Sequence, residues 1–184
     1  MSKWVFPFIK FFFFAIFLFA MKLLSIVLSP FLSAWSVIAK INVLPAPFSW
    51  FHTNDDTLDG GQNQLGWPKV TGFKLFLQRM KWICRNPAYG FAAYVVGFKT
   101  EGHEVVYSRI KNPDGSQNFD WRAKGMSYFA IMKDAKGKHY FVYRRVWKDD
   151  GKKNTATWIG WNYVPYDGVY HHMKINPIKF STRD

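Results

Sequence analysis

Residues 4–39 are apolar almost throughout, with Lys10 and Lys22 as their only charges. A helix of about 20 such residues crosses the ~30 Å hydrocarbon core of a bilayer, and lipid forces the backbone to satisfy its own hydrogen bonds, so the pattern predicts a membrane helix. Two registers compete: a Phe-rich span centred near Phe17 with Lys22 snorkelling, or residues 23–39 bracketed by Lys22 and Lys40 and kinked at Pro30. A cleaved secretory signal is the alternative, but the apolar run continues well beyond any cleavage after Ala20. A single pass is therefore expected. Lys3 and Lys10 before the span favour a cytoplasmic N-terminus, with the remaining domain across the membrane.

Between residues 45 and 68 the chain turns polar, with Pro45, Pro47 and the acidic run Asp55, Asp56, Asp59 ahead of Gly60 and Gly61. Turn and cap chemistry accounts for such a cluster, because Asn and Asp bond nearby backbone and glycine supplies positive φ. Three carboxylates could also hold a hard cation, but their spacing is not that of an EF-hand loop, so the metal question stays open. His52 adjoins them as a candidate base or ligand.

From Thr71 to Arg85 the period becomes helical. Phe73, Phe76, Leu77, Met80, Ile83 and Cys84 share one face, while Lys74, Gln78, Lys81 and Arg85 share the other. Such a helix either lies in a membrane interface or packs its apolar face on a following sheet. Asn86-Pro87 ends it.

Short aromatic and β-branched runs follow at residues 91–99, 104–110, 126–134, 139–148, 155–164 and 170–175, separated by Gly- and Asp-containing turns. The expected fold is an N-terminal transmembrane helix plus an α+β soluble domain. In that domain one amphipathic helix precedes an antiparallel β meander, closed as a small barrel or stacked as a sandwich. The expected divisions are an anchor at 1–44, an acidic loop at 45–68 and the soluble domain at 69–184, with its meander over about 91–176. In the fourth run Arg144 and Arg145 must point to opposite faces, and with Trp147 they form a candidate basic and aromatic surface.

Charge sharpens this picture. The 184 residues carry 25 Lys and Arg against 12 Asp and Glu, a formal net charge of +13, and only four of the lysines precede residue 41. The soluble part is thus itself basic and suits anionic headgroups, an acidic polymer or an envelope protein with an acidic face. Nucleic acid is disfavoured as a partner, because no recognised binding signature accompanies the arginines. With Cys84 the single cysteine, neither an internal disulfide nor a multi-cysteine metal site can form. No phosphate loop, nucleophile elbow or paired-histidine zinc helix is present, and no cofactor is implied.

The segments Trp50-Phe51-His52-Thr53-Asn54-Asp55, Leu58-Asp59-Gly60-Gly61 and Arg85-Asn86-Pro87-Ala88-Tyr89-Gly90-Phe91 resemble an uncharacterised family encoded by tailed bacteriophages. The resemblance covers mainly residues 48–91 and implies a phage accessory protein in the host envelope, with no site residues to transfer. Arg85 folding back on Asp55, Asp56 or Asp59 would join two of these segments in a charge-assisted clasp. The resulting expectation is a non-enzymatic, membrane-anchored accessory protein that binds an envelope component through its basic β domain. Its rivals are a membrane-bound hydrolase using His52, Asp55, Asp56 and Asp59, and a membrane-tethered nucleic-acid binder.

Overall fold

The computed structural model describes residues 5–53, 57–62, 67–111, 125–149, 153–165 and 168–182. One helix, α1 (Phe6–Ile38), takes up the apolar run whole, passing through Pro30. It is long and apolar enough to cross a membrane. A 3-10 turn (Phe48–Phe51), helix α2 (Gly72–Arg85) and a π-helical turn (Phe91–Val95) follow. Seven strands follow among the described residues: β1 (Phe98–Lys99), β2 (Glu104–Lys111), β3 (Ser127–Lys133), β4 (His139–Asp149), β5 (Lys153–Trp161), β6 (Tyr170–His171) and β7 (Met173–Thr182).

The architecture is α+β, with an antiparallel five-stranded sheet in the order β2-β3-β4-β5-β7 and a two-stranded pair of β1 with β6. Each strand of the large sheet pairs with the next of that sheet along the chain, which gives a meander. The first expected strand is a departure. Its residues 91–95 form the π-helical turn, and only Phe98 and Lys99 of the run are extended. Ala88 at φ 50° reverses the chain, and Gly90 then passes so close to Ser49 that a Cβ would lie 2.1 Å from the Ser49 carbonyl oxygen. Local packing thus overrides the β propensity of Tyr94, Val95 and Val96.

The chain folds as two compact units: Met1–Ala15 with Phe98–Asp184, and Ile16–Gly97. In the first, the start of α1 belongs to the sheet. Phe8 stacks on Phe141 with centroids 4.3 Å apart, while Phe11 meets Phe141 and Trp161 edge-on at 5.2 and 6.0 Å. These rings cover the sheet face that carries Phe129, Phe141 and Trp161.

In the second unit the core is built from Leu32, Leu44, Phe51, Leu58 and Ile83, with Met21, Leu28, Trp35, Ile41 and Phe48 around it. Here α1 buries a seam of Leu18, Ser25, Ser29, Leu32, Ser33 and Ser36, and Ser25 Oγ accepts the Ala88 N–H at 3.2 Å. The opposite side of the helix, including Ile16, Phe17, Leu23, Val27 and Phe31, is exposed.

Helix α2 does not bury the face that its apolar pattern marks. Its buried residues are Gln78, Arg79, Trp82 and Ile83, whereas Phe73, Lys74, Lys81 and Arg85 are exposed. These buried residues pack on the loops of their own unit. The reason is hydrogen bonding: Gln78 and Arg79 reach loop carbonyls that would otherwise be buried without donors.

Candidate functional site

Two groups of expected site residues can be placed. The first surrounds the loop before α2. His52 is buried, and its Nε2 accepts the Leu44 backbone N–H at 2.8 Å, so in the neutral ring the proton sits on Nδ1. Its carbonyl oxygen accepts the N–H groups of Tyr89 and Gly90. His52 therefore ties three segments together, and its basic nitrogen is engaged by backbone rather than poised for proton transfer.

Asp59 is also buried, and its Oδ1 accepts the Gly61 N–H at 2.7 Å, which closes the turn that Gly60 and Gly61 form at positive φ. The guanidinium acting on it is Arg79. Burial lowers the Arg79 pKa, and the Asp59 charge offsets part of that shift. Arg79 Nη1 donates to the Ile41 carbonyl oxygen at 2.9 Å and Nη2 to the Asn42 side-chain oxygen. Gln78 Nε2 bonds the Gly60 and Pro68 carbonyl oxygens at 3.0 and 3.1 Å.

Arg85 lies on the exposed side of α2. Its guanidinium lies over the rings of Trp67 and Trp82, 5.8 and 5.4 Å from their centroids. The Asp59 charge acts on Arg79, whose hydrogen bonds go to Ile41 and Asn42. Sequence reasoning passed over Arg79 because it lies outside the apolar stripe; the signal available was its place beside Gln78 and Trp82 on one side of the helix. Asp55 and Asp56 lie outside the described residues. Among the described residues no group of three His, Cys, Asp or Glu side chains is arranged to hold a metal ion.

The second group lies on the sheet, where alternation along β4 sends Arg144 inward and Arg145 outward. Arg144, 2% exposed, faces Trp158 with its Cζ 4.4 Å from the ring centroid, and it stands opposite Tyr128 in the neighbouring strand. Burial pushes the Tyr128 hydroxyl pKa up, the Arg144 charge opposing it and Tyr163 adding to it. Lys174 approaches the same Trp158 ring at 5.4 Å.

Arg145 and Trp147 are exposed, with the guanidinium 4.1 Å from the indole centroid. Register shifts in β4 and β5 fall at Trp147 and Thr157. Such bulges re-aim side chains, and here Trp147 Nε1 donates to Thr157 Oγ1 at 2.8 Å while Thr157 Oγ1 donates to the Pro177 carbonyl oxygen at 2.8 Å. The indole is thereby held in place beneath a cation. This arrangement can bind a negatively charged group at the guanidinium and an apolar or sugar-like surface on the ring.

The paired histidines serve one asparagine. His171 Nδ1 meets the Asn162 carbonyl oxygen at 2.6 Å, and the Asn162 side-chain nitrogen lies 3.3 Å from His172 Nε2.

The chain belongs to a family of unknown function, DUF7338, whose model matches residues 3–183. No curated protein and no solved structure matches it.

Proposed function

We propose that this chain is a non-enzymatic, phage-encoded accessory protein, held in the inner membrane of its bacterial host by α1 with a cytoplasmic N-terminus, and that its basic sheet binds an anionic component of the envelope. The observation that carries the membrane reading is the exposed apolar side of α1, where Phe12, Phe13, Ile16, Phe17, Val27 and Phe31 are each more than half exposed. A continuous surface of that kind is a membrane or protein contact rather than a water-facing one. The phage origin rests on the motifs around Asp59 and Arg85, and the lysines before and within the start of α1 favour the cytoplasmic N-terminus. Because Phe8 and Phe11 pack on the sheet, the same reading puts the sheet on the cytoplasmic side. The Arg145–Trp147 pair supports an anionic ligand.

The test uses the full chain expressed in a bacterial host and then reconstituted in zwitterionic lipid discs. Fractionation should leave it in membranes after a high-salt wash. A labelled polyanionic glycan should bind the discs, and Arg145→Glu with Trp147→Ala should weaken binding about tenfold or more, as loss of a charge-assisted contact and its platform implies. Recovery in the soluble fraction would overturn the anchor. Tighter binding of a single-stranded oligonucleotide of matched charge would transfer the sheet to nucleic acid.

A further inference from the structure

The mode of attachment can be read further from the Ile16–Gly97 unit, granting the membrane reading above. From Ile16 to Ile38, α1 is about 34 Å long, enough to cross a bilayer upright. Yet it is not an isolated rod in this unit: buried residues recur at positions 18, 25, 29, 32, 33 and 36, and Ser25, Ser29 and Leu32 meet Ala88, Cys84 and the core around Ile83 in the same unit. Ser29, close to the middle of the stretch, has its Oγ 3.5 Å from Cys84 Sγ of α2. Lys81 and Arg85, within a turn of Cys84, are exposed. An upright α1 would carry both cations to the depth of the bilayer centre, where charged side chains facing lipid are costly.

The exposed surface of α2 continues this argument. Phe73 is 73% exposed and stacks on Phe76 with centroids 5.6 Å apart, while Leu77 and Met80, on the same stripe, are half-buried. Lys74, Lys81 and Arg85 flank the stripe on one side, and Lys69 precedes the helix, all exposed. Between Asp59 and Glu101 the chain contains no acidic residue. An apolar stripe edged by cations is the surface of a helix lying at the boundary of headgroups and acyl chains. Its Cys84 end abuts α1 at Ser29, on the seam side of that helix and within the same unit.

We propose that α1 lies in the plane of one leaflet instead of crossing the bilayer. The stripe of α2 from Phe73 to Met80 enters the same leaflet beside it, with Lys74, Lys81 and Arg85 meeting anionic lipid headgroups. The surface is thus a docking face for an anionic bilayer, and both ends of α1 stay on one side.

The full chain tests this in a Cys84→Ser background, a change that keeps a hydroxyl facing Ser29. Val5→Cys and Ala39→Cys, at exposed positions flanking the seam, are labelled with a membrane-impermeant maleimide in spheroplasts and in inverted vesicles. In-plane attachment makes both react only in the inverted vesicles; reaction from opposite sides would overturn it in favour of a crossing helix.

An environment-sensitive fluorophore at Phe73→Cys should shift to the blue in vesicles of pure lipid and be quenched more by shallow than by deep brominated lipids. The shift should be larger with anionic than with zwitterionic lipid, and Lys74→Glu with Lys81→Glu should abolish that difference. A probe open to aqueous iodide in these vesicles would overturn the α2 contact. Protection seen in native membranes but not in pure lipid would also overturn it and assign the stripe to a protein. Release of the chain from membranes altogether would instead strike the anchoring reading on which this inference rests. Unmodified chain, fractionated alongside, shows whether the Cys84→Ser background alone is responsible.

Discussion

The ammonium of Lys10 sits 3.2 Å from the centre of the Tyr140 ring, so a cation that interrupts the apolar run is held by the sheet. Tyr140 in turn donates its hydroxyl to Asp134 Oδ2 at 3.0 Å. The interruption at Lys10 is therefore a docking position for the start of α1, within the unit that holds β4.

This pair can be measured. A double-mutant cycle of Lys10→Met and Tyr140→Leu, read by denaturant unfolding of the full chain in mild detergent, should give a coupling of about 0.5 to 2 kcal/mol, the range for a cation over an aromatic face. Tyr140→Phe keeps the ring and should preserve most of that coupling. Additive losses would show that the contact is packing without attraction.

The loop clasp makes a second prediction. Arg79→Met removes the donors to the Ile41 carbonyl and the Asn42 side chain together with the charge that acts on buried Asp59, and should cost about 3 to 5 kcal/mol, as breaking a buried charged contact does. Arg85→Gln leaves buried groups satisfied and should cost about 1 kcal/mol or less. Asp59→Asn should be non-additive with Arg79→Met and additive with Arg85→Gln in thermal unfolding.

Gly160 gives a third. It sits in β5 at φ +93°, and a Cβ there would lie 2.2 Å from the Phe141 carbonyl oxygen. Gly160→Ala must push two paired strands apart and should cost about 3 kcal/mol or more. Gly137→Ala, also at positive φ but in open space, should cost about 1 kcal/mol. Similar melting temperatures for the two variants would contradict the close approach.

Alkaline pH supplies a fourth. Burial raises the hydroxyl pKa values of Tyr128 and Tyr140, and for Tyr140 the hydrogen bond to Asp134 and that carboxylate's charge add to the rise. A raised folded-state pKa means that the stabilisation is complete below the ordinary tyrosine value near ~10 and is lost as pH climbs above it. Phenolate absorbance should therefore show late-titrating tyrosines whose ionisation coincides with unfolding, and Tyr128→Phe should remove part of that late phase. Smooth titration of every tyrosine near the ordinary value, with the sheet intact, would contradict this.

Much of the fold was legible from the sequence because its signals were local. The apolar run gave α1, and the turns around Gly102 and Gly137 bounded the strands, so β2 to β4 fall within a residue or two of their expected limits. What eluded the sequence depended on partners distant in the chain. Residues 91–95 read as a strand until Gly90 meets Ser49, and the apolar stripe of α2 read as its buried face until Gln78 and Arg79 find the loop carbonyls. The candidate site divides in the same way. Alternation along β4 predicted that Arg144 and Arg145 face opposite sides, whereas the partner of Asp59 could not be chosen between arginines by spacing alone.

The aromatic docking of Phe8 and Phe11 on β3, β4 and β5 also has a bearing on how the chain is made. Synthesis delivers the two sides of this contact far apart in time: α1 leaves the ribosome first, while Phe141 and Trp161 follow more than a hundred residues later. Contacts of such long sequence separation form slowly. Between those events the leading phenylalanines have no sheet to cover, and a bilayer or a chaperone must shelter them. A fragment that starts after residue 15 would never receive its covering rings, so translation of the sheet alone should give an aggregating product rather than a soluble domain.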